Sequence, residues 1–207
     1  MVQYGKKVQA SVSVPPVSGA NVSGVAPGGA TAFYSWLPST WPKITKFDAT
    51  FLAALTQIFD ESMLGEIAHV VDDVLKSNAD LQHRGHAVAI PMFCALDAVS
   101  SYPYRGKHVA KFIKAHFPAD YKPHAADIYK LYRNSMVHSW NLFEASIYPG
   151  HEKITKAKNG IVSFGLLNFF DALKEGVNDF LAKLPANASM QSNTLRRYSE
   201  LRRTAKP

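Results

Sequence analysis

Ala125-Ala-Asp-Ile128-Tyr-Lys130-Leu131-Tyr132-Arg133-Asn134-Ser135-Met136-Val137-His138-Ser139-Trp140-Asn141-Leu142 reads as one amphipathic helix, and its two faces decide how the chain is built. At 100° per residue, Ile128, Leu131, Tyr132, Ser135, Met136, Ser139 and Leu142 fall within ~140° of one another and form the inward stripe. The opposite arc carries Lys130, Arg133, Asn134, Val137, His138 and Asn141. A charged arginine is too costly to fill a core, and His138 lies on the same outer arc. The hexapeptide Arg133–His138 is the one stretch that suggests chemistry.

Upstream of this helix, which spans about 124–142, the apolar period repeats. Asp48 is a good N-cap before Phe51, Leu52, Leu55, Ile58 and Phe59. A continuation or second segment carries Met63, Leu64, Ile67, Val70, Val71, Val74 and Leu75, ending near Ser77-Asn78. The next helix runs from about Arg84 to Ser101, with Pro91 either near its first turn or kinking it. Tyr102-Pro-Tyr-Arg-Gly106 is a turn, and His108 to Phe117 is a short helix closed by Pro118. Downstream the period changes. Phe143–Tyr148 and Ile161–Phe164 are rich in strand formers, separated by the turn signals Pro149-Gly150 and Asn159-Gly160, which predicts a small hairpin. Leu166, Leu167, Phe170, Leu173, Val177, Phe180, Leu181 and Leu184 then restore the helix up to Pro185. The expected fold class is all-α: an up-and-down bundle of four to five helices with a small β-hairpin before the last.

The helical domain is expected over residues 46–185, between two appendages. Residues 1–45 are rich in Val, Ser, Gly, Ala and Pro and read as a flexible arm, although the alternation Val8–Val14 also allows a strand on another chain's edge. Aromatics at Phe33–Trp41 either lash this arm to the domain or stack bases. Residues 186–207 form a basic tail, either frayed or a marginal helix that clamps phosphates through Arg196, Arg197, Arg202 and Arg203.

Composition narrows the function. A hydrophobic fraction of 47% with 19% charged is a globular balance. The net charge of +7 favours a polyanionic partner. Cys94, the single cysteine, excludes an intrachain disulfide, fits a reducing compartment and reads as a small buried hydrophobe in the run Ala87–Val99. No apolar run reaches the ~18 residues of a spanning helix, and prolines interrupt any signal-peptide core, so a cytoplasmic protein without a membrane partner is expected. His83-x2-His86 lacks a visible third ligand, Glu61, Glu66, Asp72 and Asp73 do not share one helix face, and neither a phosphate loop nor a nucleophile elbow is present. The reading therefore contains no cofactor and no metal.

The stretch Leu131-Tyr-Arg133-Asn134-Ser-Met-Val-His138 resembles the signature of the HEPN superfamily. In that superfamily an arginine, a polar neighbour and a histidine four to six residues beyond sit on a late helix of a four- or five-helix domain. Ala95-Leu-Asp-Ala-Val-Ser-Ser-Tyr102 and Phe112-Ile-Lys-Ala-His-Phe-Pro118 extend the likeness to a group of bacterial HEPN-like proteins over residues 48–184. The resemblance implies metal-independent RNA cleavage at the interface of a homodimer, leaving 2′,3′-cyclic phosphate ends, with a possible antitoxin or other protein partner. It casts His138 as general acid or base, Arg133 as phosphate clamp and Asn134 as positioner. Lys130, Asn141 and Trp140 are candidate RNA contacts, and Asp97 a candidate partner of Arg133. The alternative is an RNA- or nucleotide-binding or partner-docking helical module without turnover.

Overall fold

The computed structural model describes residues 43–75, 85–131 and 145–204. The 1–45 arm up to residue 42 and His83 of the weighed zinc pair therefore lie outside the described residues. What is described is predominantly helical with a small three-stranded sheet.

Asp48 sits in extended backbone and its carboxylate accepts a hydrogen bond from the Phe51 N–H at 3.0 Å, starting α1 (Ala49–Thr56). The chain runs on through π-helical turns, Gln57–Leu64, into α2 (Gly65–Leu75). Sequence spacing explains the wider turns. The buried residues Phe51, Leu55, Phe59, Leu64, Ile67, Val71 and Leu75 are mostly three or four apart, but Phe59 to Leu64 is a step of five. In a regular α-helix that step would rotate Leu64 by ~140° away from the core. Turns closed by i→i+5 hydrogen bonds bring it back.

Helix α3 (Gly85–Ser100) holds Pro91 in its interior and buries Val88, Ala89, Met92, Phe93, Leu96 and Val99. A turn through Gly106, at φ +46°, leads to α4 (His108–His116), which buries Val109, Phe112, Ile113 and His116. A 3-10 turn, Lys122–His124, leads into α5 (Ala125–Leu131), which buries Ala125, Ile128 and Leu131, the start of the predicted inward stripe.

The sheet corrects the predicted hairpin. Strand β1 (Ala145–Tyr148) runs parallel to β3 (Val162–Gly165), with Ala145 opposite Val162, and the antiparallel partner of β3 is the two-residue β2 (Thr155–Lys156). The thirteen residues 149–161 exceed a tight turn and are long enough for the crossover that a parallel pair requires. The true hairpin loop is Lys158-Asn159-Gly160, with Gly160 at φ +86° and its N–H donating to Ala157 O at 2.9 Å. The crossover folds against the end of β3. Gly165 N–H donates to Glu152 O at 2.9 Å, and a Cβ on Gly165 would lie 2.2 Å from Gly150 O, so no side chain fits there.

Helix α6 (Leu166–Lys183) follows β3 directly and buries Leu166, Phe169, Phe170, Leu173, Val177, Phe180 and Leu181. Its rings meet those of other elements: Phe169 stacks on Phe93 at 5.0 Å between centroids, and Phe180 lies against Phe59 and Phe112.

The C-terminal stretch is part of this body, not a tail that begins at 186. Asn187 caps α7 (Ala188–Thr204) by accepting from the Met190 N–H at 3.0 Å. The helix buries Met190, Thr194 and Tyr198, one residue per turn, and Tyr198 packs edge-on against Phe51 at 5.1 Å. Asn193 Nδ2 donates to Pro103 O and Arg197 Nε to Ser101 Oγ, both at 3.1 Å, which ties α7 to the turn after α3. So narrow a stripe in a mostly polar segment carries little periodic signal.

Candidate functional site

Of the residues singled out by sequence, Arg133, Asn134, His138, Trp140 and Asn141 lie outside the described residues, while Lys130 and Asp97 lie within them. Lys130 is exposed near the end of α5 and lines a polar groove of about 340 Å³ with Asp127, Lys156, Asn159, Ile161 and Val162. Lys156 Nζ holds the Asp127 carboxylate at 2.7 Å across this groove, joining α5 to the hairpin. Leu131, the last described residue before the motif segment, lines the same groove. Ala145, the first after it, is the sheet partner of Val162. Val162 thus lines the groove beside one flank of residues 132–144 and pairs with the other.

Asp97 accepts from His108: Nε2 of His108 lies 2.7 Å from Asp97 Oδ1, joining α3 to the start of α4, while its candidate partner Arg133 lies outside the described residues. Cys94 corrects another expectation, because it is exposed. It lines an apolar groove with Met63, Ile67, Val70, Pro91 and Ala98. Partial burial and the Asp97 carboxylate push its thiol above the ordinary value, which keeps it protonated and a poor nucleophile at neutral pH.

Sequence reasoning missed a connected polar cluster. His116, with only 2% of its side chain exposed, sits between Asp179 Oδ2, 2.8 Å from Nδ1, and the Tyr104 hydroxyl, 3.0 Å from Nε2. A carboxylate only accepts, so Nδ1 carries the proton and donates, leaving Nε2 to accept from Tyr104. Lys183 Nζ donates to the same Asp179 oxygen at 2.7 Å. Burial pulls the His116 pKa down, with Lys183 and Lys122 adding to it and Asp179 opposing. Burial alone would raise Asp179, but the hydrogen bonds from Lys183 and His116 outweigh it and leave the carboxyl low. Burial, and then Asp179, raises Tyr104. The result is a neutral imidazole braced by a carboxylate and a phenol, with both ring nitrogens occupied. It pins the turn after α3 and the end of α4 to α6. The spacing Val109, Phe112, Ile113, His116 was the signal that would have placed this histidine inward; its partner, sixty-three residues away, had none.

The network makes a pH prediction. The folded-state pKa of His116 is below its unfolded value, so as pH falls through about 6.5 the unfolded chain binds a proton that the folded chain refuses. Stability should fall there, and the lowered Asp179 adds a further loss through the carboxylate range near about 3.9. Urea unfolding at pH 7.5 and 5.5 checks this: the midpoint should drop at the lower pH, and drop less in His116→Gln. A midpoint that rises on acidification contradicts the assignment.

Part of the predicted phosphate clamp on α7 is engaged internally. Arg196 Nη1 lies 2.6 Å from Glu200, and Arg197 reaches Glu200 at 3.9 Å as well as Ser101, while Arg203 is exposed.

Comparison of the chain with protein-family models, curated proteins and solved structures found no match. The class defined by its own coordinates is a predominantly helical domain with a mixed three-stranded sheet set between α5 and α6. Among the described residues, no helix is long and apolar enough to cross a membrane.

Proposed function

We propose that this protein is a metal-independent endoribonuclease of HEPN type, built on an up-and-down bundle of four to five helices. Its active site forms where the Arg133–His138 segments of two subunits face each other. The observation that carries the reading is the motif itself in the sequence. Ile128 and Leu131 of α5 are buried, as the inward stripe expects, and the helical period of the sequence, if continued past Leu131, puts Arg133 and His138 on the outer arc.

The chemistry asks for what this segment offers. His138 takes the proton of the ribose 2′-OH; the 2′-oxygen attacks phosphorus; the P–O5′ bond breaks, and a second acid, the partner subunit's copy of the same histidine, protonates the leaving oxygen. Arg133 places permanent planar charge on the phosphorane oxygens, and Asn134, one turn before His138, positions the strand. A two-fold axis supplies two copies of each group, which makes dimerisation part of the mechanism. The product end is a 2′,3′-cyclic phosphate. The net charge of +7 favours a second reading, RNA binding without turnover. A cytoplasmic setting, a toxin or defence role and an antitoxin partner belong to the first.

Purified protein incubated with RNA in EDTA separates the two. Cleavage that persists and leaves cyclic phosphate ends supports the nuclease. RNA retained in a salt-sensitive complex but left intact across many sequences leaves the binding module, and RNA neither bound nor cut removes both.

A further inference from the structure

Helix α4 sorts its residues by charge as cleanly as by polarity. Val109, Phe112, Ile113 and His116 are buried, while Lys107, Lys111 and Lys114, spaced i, i+4 and i+7, are exposed on the opposite face. Arg105 before the helix and Lys122 after it are exposed too. Residues 105–122 contain these five cations and one acid, Asp120, so this short segment holds four of the chain's seven net positive charges. Among the described residues, none of the five lies within salt-bridge distance of a carboxylate. Lys111 Nζ donates to the Arg105 main-chain carbonyl at 2.7 Å, which holds its ammonium beside the turn that starts the helix.

The fold accounts for part of this arrangement, since Lys114 in the last turn complements the helix dipole and Lys111 donates to Arg105 O, but not for the rest. A lysine at the N-cap, with no acid in the first turn, opposes the helix dipole, and like charges four apart repel. An external anion supplies what the fold does not. The apolar face of α4 is committed to the core, with Phe112 fully buried, so the helix cannot turn that face into a lipid layer. The three lysines span about 10 Å at 1.5 Å per residue. Over that length one nucleic-acid strand presents about three phosphates, at 3.4 Å each.

We propose that the exposed ridge of α4, Lys107, Lys111 and Lys114 with Arg105, binds the phosphodiester backbone of a nucleic-acid strand. The ridge does so whether or not the 133–138 segment cleaves. Because it reads phosphates and not bases or 2′-hydroxyls, RNA and DNA of one sequence bind it alike.

Fluorescence anisotropy on the full chain tests this, using a labelled 2′-O-methyl RNA, which cannot be cleaved through its 2′-oxygen, and DNA of the same sequence. Replacing Lys107, Lys111 and Lys114 by Gln should weaken both complexes at least about tenfold near 0.1 M salt and make log K against log[salt] shallower by about 2, at ~0.7 per single-strand phosphate. The Lys→Arg triple should keep parental binding, and thermal unfolding of the Gln triple should lie at or above that of the parent. The proposal is overturned if the Gln triple binds with parental slope and affinity, or if only the RNA analogue is bound. Tighter binding of the parent to anionic phosphatidylserine vesicles or polyglutamate than to either strand overturns it too. Loss of cleavage in His138→Ala with an unchanged Lys-dependent slope separates the ridge from the active-site reading.

Discussion

Alanine in place of His138 is expected to slow RNA cleavage by about 10²- to 10⁴-fold, the range for a positioned general acid or base. Arg133→Ala should cost a similar amount, about 10²- to 10³-fold, because it removes charge from where the phosphorane forms. Arg133→Lys should recover only part, since an ammonium lacks the planar fork. Single-turnover cleavage in EDTA measures this without product release. The histidine variant should lose rate with little change in half-saturating RNA, as expected of a group used only in the transition state. Specific activity should also fall on dilution if two subunits build one site. Both variants cleaving at the parental rate would remove this segment from the chemistry.

Phe180→Ala should destabilise the fold by about 3–5 kcal/mol. The ring is fully buried on α6 and meets Phe59 of the π-helical turns at 6.4 Å, Phe112 of α4 at 5.9 Å and His116 at 5.8 Å. Three elements therefore lose contacts at once, and a cavity opens where they converge. Urea denaturation should show a lower midpoint with an unchanged slope, and Phe180→Leu should cost clearly less. The cavity also admits water beside His116, so the acid sensitivity of the variant should shrink with its stability. A loss below about 1 kcal/mol would mean that α6 is not the centre of the core.

Helix boundaries were largely legible in the sequence. Asp48 starts α1 where a capping residue precedes an apolar period, and α3, α4 and α6 lie within about two residues of their expected limits. Each is set by contacts between residues three or four apart, which a linear pattern records. The π-helical turns were legible only in hindsight, as the five-residue step from Phe59 to Leu64. The parallel pairing of β1 with β3 was not legible at all, because strand composition is the same for either direction. For the candidate site, the motif was readable as a motif, and Ile128 and Leu131 before it are buried as the period requires. The pairs that join elements, His108 with Asp97 and Lys156 with Asp127, were not.

By itself, then, the sequence determined the helices over 49–56, 85–100, 108–116 and 166–183 and the inward face that Ile128 and Leu131 share, because periodicity and capping act over a few residues. Only the tertiary structure decided that the C-terminal arginine-rich segment docks through Tyr198, that Cys94 faces outward and that Asp179 meets His116. It likewise decided that the α4 lysines have no carboxylate within salt-bridge distance among the described residues. Burial and charge pairing depend on which surfaces meet across tens of residues, and that is settled by packing the whole domain, not by the order of residues along one helix.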